Sequence, residues 1–128
     1  MFKLSRRSNK HLKDVHPDLV KVVRRALEIT KVDFGIPFTG GYRTAEQQNA
    51  LFKAGKSQLD GYNRSSRHQF GKAVDVFAYV DGAASWDEDH LTHIATAMLA
   101  AASELGIKLR WGGHFKSFID MPHFEKIT

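Results

Sequence analysis

Cysteine is absent from the 128-residue chain. No disulfide can staple it and no thiolate can hold a metal, so any bound metal has to rest on His, Asp or Glu. Long apolar runs are missing as well. The first residues are basic, but no apolar run of seven or more follows, so no secretory leader is expected. No stretch is long enough to span a bilayer. Internal repeats, low-complexity tracts and an interdomain linker are also lacking. Three hydrolase signatures, His-Glu-x-x-His, Ser-x-x-Lys and Gly-x-Ser-x-Gly, occur nowhere. Gly55-Lys56-Ser57 suggests the end of a phosphate loop, yet the glycine required five residues earlier is Ala50.

What is present fits one domain spanning residues 1–128, long enough to bury a real core. The net charge of +5 favours anionic partners. Much of it lies in residues 1–14, a basic arm in which Lys3, Arg6, Arg7, Lys10 and Lys13 precede the first acid, Asp14. Such an arm is a solvated segment, an attachment to an anionic envelope or a contact to nucleic acid.

Hydrophobic spacing organises the rest. Leu19, Val22, Val23, Ala26, Leu27 and Ile29 predict a helix opening at Pro17. Phe34, Ile36 and Phe38 alternate as a short strand before Gly40-Gly41. Thr44-Ala45-Glu46-Gln47 is a capping box for a helix of about ten residues closed by Gly55. A polar loop runs from Gln58 to Arg67, and Val74 to Val80 reads as the best strand, with a turn at Asp81-Gly82. Ser85-Trp86-Asp87-Glu88 reads as a second capping box. Its helix turns Leu91, Ile94, Met98, Leu99, Ala102 and Leu105 inward and ends at Gly106. Ile107 to Trp111 and Met121 to Ile127 are the last strands. The elements predict an α+β domain with helices packed on a mainly antiparallel sheet.

Three residues carry the chemistry. His68 ends the polar loop and Asp75 opens a strand; Gly71 between them lets the chain bend. Asp120-Met121-Pro122-His123-Phe124-Glu125 adds a second histidine among carboxylates. His68, Asp75 and His123 would make three ligands for one Zn²⁺ per chain. That leaves a fourth position for water, as in a catalytic rather than a closed structural site. His90 and His93, at i and i+3 on a helix, have no third ligand tied to them and read as surface residues.

The pattern Ser-x-His-x-x-Gly-x-Ala-x-Asp is met by Ser66, His68, Gly71, Ala73 and Asp75, and Asp-x-Pro-His-Phe-Glu follows much later. Together they resemble the zinc peptidases that cut bacterial cell-wall peptides. These include D-alanyl-D-alanine carboxypeptidases and dipeptidases and L-alanyl-D-glutamate endopeptidases, many of them phage endolysins. Gly41-Tyr42-Arg43-Thr44 and Trp111-Gly112-Gly113 resemble further elements of that family, whereas His114 and Phe115 depart from it. The resemblance implies a hedgehog/D,D-peptidase-like fold and peptidoglycan stem peptide as substrate. It also implies Asp120 as general base, Arg43 facing the site to bind an oxyanion or a substrate carboxylate, and Ser66 bonding to substrate or to the ligand-bearing loop. Glu125 is either a rival base or, pointing from a strand to the same face as His123, a partner that orients a ligand.

The C-terminal motif favours cleavage inside the stem peptide, at L-Ala-D-Glu, over D-Ala-D-Ala at its end. A phage lysin, held in the host cytoplasm until a separate protein opens the membrane, is the expected setting; a monomer with no nucleic-acid partner and no membrane insertion is expected too. A D-alanyl-D-alanine carboxypeptidase or dipeptidase, a wall-binding module that keeps zinc without chemistry and a basic nucleic-acid-binding protein are the alternatives.

Overall fold

A computed structural model describes residues 2–127. Two long helices form one layer. α2 (Pro17–Ile29) and α4 (Glu88–Leu105) pack on each other, and Leu19, Val22, Val23, Ala26 and Leu27 of the first meet Leu91, Ile94, Met98 and Ala102 of the second in the core. Their exposed flanks are joined by Arg25 and Glu104, with bonds of 2.8 and 3.0 Å. Ile29 and Leu105, expected inside, are 38% and 42% exposed because each ends its helix, where the stripe leaves the core.

The sheet is split. β1 (Phe34–Gly35), β3 (Phe77–Val80) and β4 (Ala83–Ser85) form one antiparallel sheet in the order β1-β3-β4. β2 (Ala73–Asp75), β6 (His123–Lys126) and β5 (Leu109–Trp111) form another, in the order β2-β6-β5. The mixed α+β architecture is as the sequence predicts, but the single strand expected over 74–80 is two. Val74, Val76 and Ala78 all face inward, so the alternation is unbroken while the ladder changes partner at Val76. There the Val76 N–H donates to the Pro122 carbonyl at 2.9 Å.

Other boundaries shift for local reasons. β1 is shorter than expected, and Phe38 is 74% exposed beyond it. The last strand starts at His123, since Asp120 to Pro122 still belong to the preceding loop. Ser85 does not cap α4: it pairs with Ala78 in the first sheet, and Asp87 caps instead, its side chain accepting from the Asp89 N–H. α3 (Ala45–Lys53) starts as expected, with both halves of the Thr44–Gln47 capping box formed. Residues 6–11 of the basic N-terminal segment form a short helix, α1 (Arg6–His11), whose Ser8 is buried against Ile36. No helix among the described residues is long and apolar enough to cross a membrane.

Candidate metal centre

The second sheet builds most of the site by its register. β2 and β6 run antiparallel with Asp75 opposite His123, Val74 opposite Phe124 and Ala73 opposite Glu125. Directly opposed side chains share a face, their Cβ atoms about 5 Å apart. Val74 and Phe124 therefore enter the core, both fully buried, while Asp75, His123 and Glu125 share the other face. The small Ala73 is the residue opposite Glu125.

His68 arrives on a turn of 3₁₀ helix (Arg67–Phe70). Ser66 caps it, its hydroxyl accepting from the His68 N–H at 3.2 Å while the Gln69 side chain accepts from the Ser66 N–H at 2.8 Å. Gly71 then reverses the chain at φ +68, and a Cβ there would lie 2.4 Å from the Asp14 carbonyl oxygen. Both facts require glycine at the bend that returns the chain from His68 to Asp75.

Three donor atoms converge. Asp75 Oδ1 lies 3.2 Å from His68 Nε2 and 3.1 Å from His123 Nδ1, and the ligand atoms of the three residues all fall within 4.8 Å of one another. The other nitrogen of each ring is already engaged. His68 Nδ1–H donates to the Gly41 carbonyl at 2.8 Å, and His123 Nε2–H donates to Glu125 at 2.8 Å. In the neutral rings that bind metal, those bonds select the tautomers that leave His68 Nε2 and His123 Nδ1 free to ligate. Two imidazole nitrogens and one carboxylate oxygen, with no thiolate, form a donor set that fits a divalent ion such as zinc.

The electrostatics agree. Burial by itself would raise the Asp75 carboxyl, but His68 and His123 overcome it and hold it well below the usual carboxylate range. Burial by itself would lower His123, but its bonds to Asp75 and Glu125 win, and in the metal-free protein it is pushed up to about 9. Glu125 is lowered against its own burial, chiefly by His123. It also meets Arg67 at 3.3 Å.

The remaining predicted residues line the same cleft of about 490 Å³. Arg43 donates to Asp75 Oδ2 at 2.9 Å, to Gln48 Oε1 at 3.0 Å and to the Thr39 carbonyl at 2.6 Å. Burial lowers its pKa, and Asp75 and Asp120 oppose that. Asp120 has no hydrogen-bond partner for its carboxylate among the described residues. Burial, then the charge of Asp75, raises its pKa, with His123, His68 and Arg43 pulling the other way. Its backbone is held by Gly112, where a Cβ would lie 2.1 Å from the Asp120 carbonyl oxygen.

His90 and His93 stay apart from the centre: His90 bonds to Ser85 at 2.8 Å and His93 is exposed. Sequence reasoning missed Gln48, which is fully buried and links Arg43 to Ser57 and Leu59, and Arg67, which bears on Glu125. Nothing in the local pattern marks either; a polar residue on an amphipathic helix normally reads as its wet face. Phe115, which departs from the family pattern, lines the cleft with its ring 5.9 Å from that of His123.

Known proteins are similar to most of the chain. Residues 1–127 match the family described as phage L-alanyl-D-glutamate peptidase. The L-alanyl-D-glutamate peptidase of Escherichia phage T5 is 37% identical over 117 residues, covering 91% of this chain and 83% of that protein. The peptidoglycan L-alanyl-D-glutamate endopeptidase CwlK of Bacillus subtilis is 32% identical over 127 residues, covering 89% and 74%. The crystal structure of the L-Ala D-Glu endopeptidase ChiX of Serratia marcescens superposes with a TM-score of 0.85 at 40% identity, covering 98% of this chain and 90% of that one. On its sequence, its fold and the convergence of His68, Asp75 and His123, the chain belongs to the phage L-alanyl-D-glutamate peptidase family.

Proposed function

We propose that the protein is a zinc-dependent endolysin that hydrolyses the L-alanyl-D-glutamate bond of the peptidoglycan stem peptide. The observation that carries this reading is the pairing of a His68-Asp75-His123 ligand set with an unpartnered Asp120 in one cleft. His68 Nε2, Asp75 and His123 Nδ1 would hold the ion. When bound, zinc supplies Lewis acidity, polarising a carbonyl and making water acidic enough to react near neutral pH.

The chain's own groups do the rest. Asp120 takes a proton from the attacking water and gives it to the nitrogen of D-glutamate as the C–N bond breaks, leaving L-alanine with a carboxylate. Its burial raises its proton affinity above that of a free aspartate, which suits a base that must later act as an acid. Arg43 holds Asp75, and the guanidinium keeps two of its five N–H bonds for the developing oxyanion. Glu125 orients His123, and Ser66 holds the turn that carries His68. A monomer suffices, because one chain supplies every group named.

Digestion of purified peptidoglycan by the zinc-loaded protein, read by mass spectrometry, tests the reading. New N-terminal D-glutamate with L-alanine left on the glycan is expected. Release of free D-alanine from an otherwise intact stem overturns it in favour of a carboxypeptidase.

A further inference from the structure

Hydrolysis does not account for all the charge in the cleft. Its lining holds four cations, Arg43, Lys56, Arg64 and Arg67, and three carboxylates, Asp75, Asp120 and Glu125. Arg43 is paired with Asp75 and Arg67 with Glu125. Lys56 and Arg64 are in no ion pair among the described residues. The one carboxylate of their own loop, Asp60, spends its Oδ1 on the backbone N–H groups of Tyr62, Asn63 and Arg64 at 2.9 to 3.0 Å and acts on the Arg64 charge only through space.

The loop that carries these two cations is held in place. Gln48 donates to Ser57 Oγ and to the Leu59 carbonyl at 2.8 and 2.9 Å, and Asn49 donates to the Asp60 carbonyl at 2.9 Å. From the other side, Gln69 donates to the Gly61 carbonyl at 2.9 Å. Arg64 is itself pinned, its Nη2 donating to the Gln58 carbonyl at 2.7 Å. Gln48 also binds Arg43, so one buried side chain ties the cationic loop to the metal centre.

Building on the L-alanyl-D-glutamate reading, we infer that Lys56 and Arg64 bind the free α-carboxylate of the D-glutamyl residue and so select stem peptides whose D-glutamate is not amidated. That carboxylate sits on the carbon that bears the scissile nitrogen. Cleavage therefore brings an anion into a cleft that already holds three carboxylates. Two unpaired cations on an anchored loop offset that charge and give the anion charge-assisted bonds. An amide in its place carries no charge and gains neither.

The test uses two synthetic stem peptides, identical except that the D-glutamyl α-carboxyl is free in one and an amide in the other. The zinc-loaded protein should cleave the acid with a kcat/KM about tenfold higher or more, the worth of one charge-assisted bond. The preference should shrink as ionic strength rises. In a Lys56→Gln, Arg64→Gln double variant with native zinc content and melting temperature, the ratio should fall towards unity; Arg64→Lys alone should retain most of it. Equal cleavage of both peptides by the native protein, or an unchanged ratio in the double variant, overturns the assignment and leaves the endopeptidase reading standing. If neither peptide is cut at L-Ala-D-Glu while D-alanine is released, the endopeptidase reading falls and this assignment with it.

Discussion

Asp120→Asn separates chemistry from metal binding. The amide has nearly the same shape but cannot accept the proton that water must lose. General acid–base catalysis contributes about 100- to 10,000-fold, or roughly 3–5 kcal/mol of barrier at 1.36 kcal/mol per tenfold. The structure says where that loss should fall. Among the described residues no donor binds the Asp120 carboxylate, and it is not one of the three converging residues, so zinc content should match the native protein. Stability should not suffer either. The folded-state pKa of Asp120 is raised by burial and by Asp75. The native state therefore binds more protons than the unfolded state between the ordinary aspartate pKa and the raised one, and stability falls as pH rises through that window. At neutral pH the ionised carboxylate is a small destabilising element that asparagine removes, so the melting temperature should hold or rise. In the metal-free protein, Asp120 should titrate above the range of a free aspartate. The assay is turnover of a stem peptide across pH, with zinc analysis and thermal melting of the same samples. Near-native turnover in Asp120→Asn would refute the assignment and move the base to Glu125; loss of zinc would make Asp120 a ligand instead.

Other expectations follow from the same geometry. One zinc per chain should bind, and His68→Ala and His123→Ala should each lose it by metal analysis; full zinc in both variants would mean the ligands are wrongly assigned. Chelation should abolish activity and lower the melting temperature, since an ion at a hundred times its Kd stabilises the fold by about 2.7 kcal/mol. Because His123 in the metal-free protein is pushed up to about 9, protons compete for its ring, and calorimetry should show zinc affinity falling and proton release rising as pH drops below that value. Arg43→Ala should lose on the order of 100-fold in kcat; a loss confined to KM, with zinc retained, would make it a uniform binding contact. Glu125→Ala frees the His123 ring and should weaken zinc affinity about 10- to 100-fold, whereas unchanged affinity would mean that the 2.8 Å bond does not orient the ligand.

Local signals in the chain determined a good deal. Pro17–Ile29 and Ala45–Lys53 follow from apolar spacing and capping chemistry within one helical turn, and no distant residue is needed to read them. The candidate metal ligands were legible because each sits in a short motif: Gly71 marks the bend after His68, and strand parity places Glu125 on the face of His123. Tertiary structure decided whatever depends on partners far along the chain. Alternation shows which face of residues 74–80 is buried, but not that Val74 pairs with Phe124 while Ala78 pairs with Phe34. Ladder bonds join backbone groups that every residue carries, so the change of sheet at Val76 leaves no mark in the sequence. Ser85 and Asp87 are both good caps, and only the pairing of Ser85 in the first sheet makes Asp87 the one that caps α4. Gln48 could be read as part of the core only once Arg43, Ser57 and Leu59 had closed around it, because a buried amide is tolerated where its donors and acceptors are met.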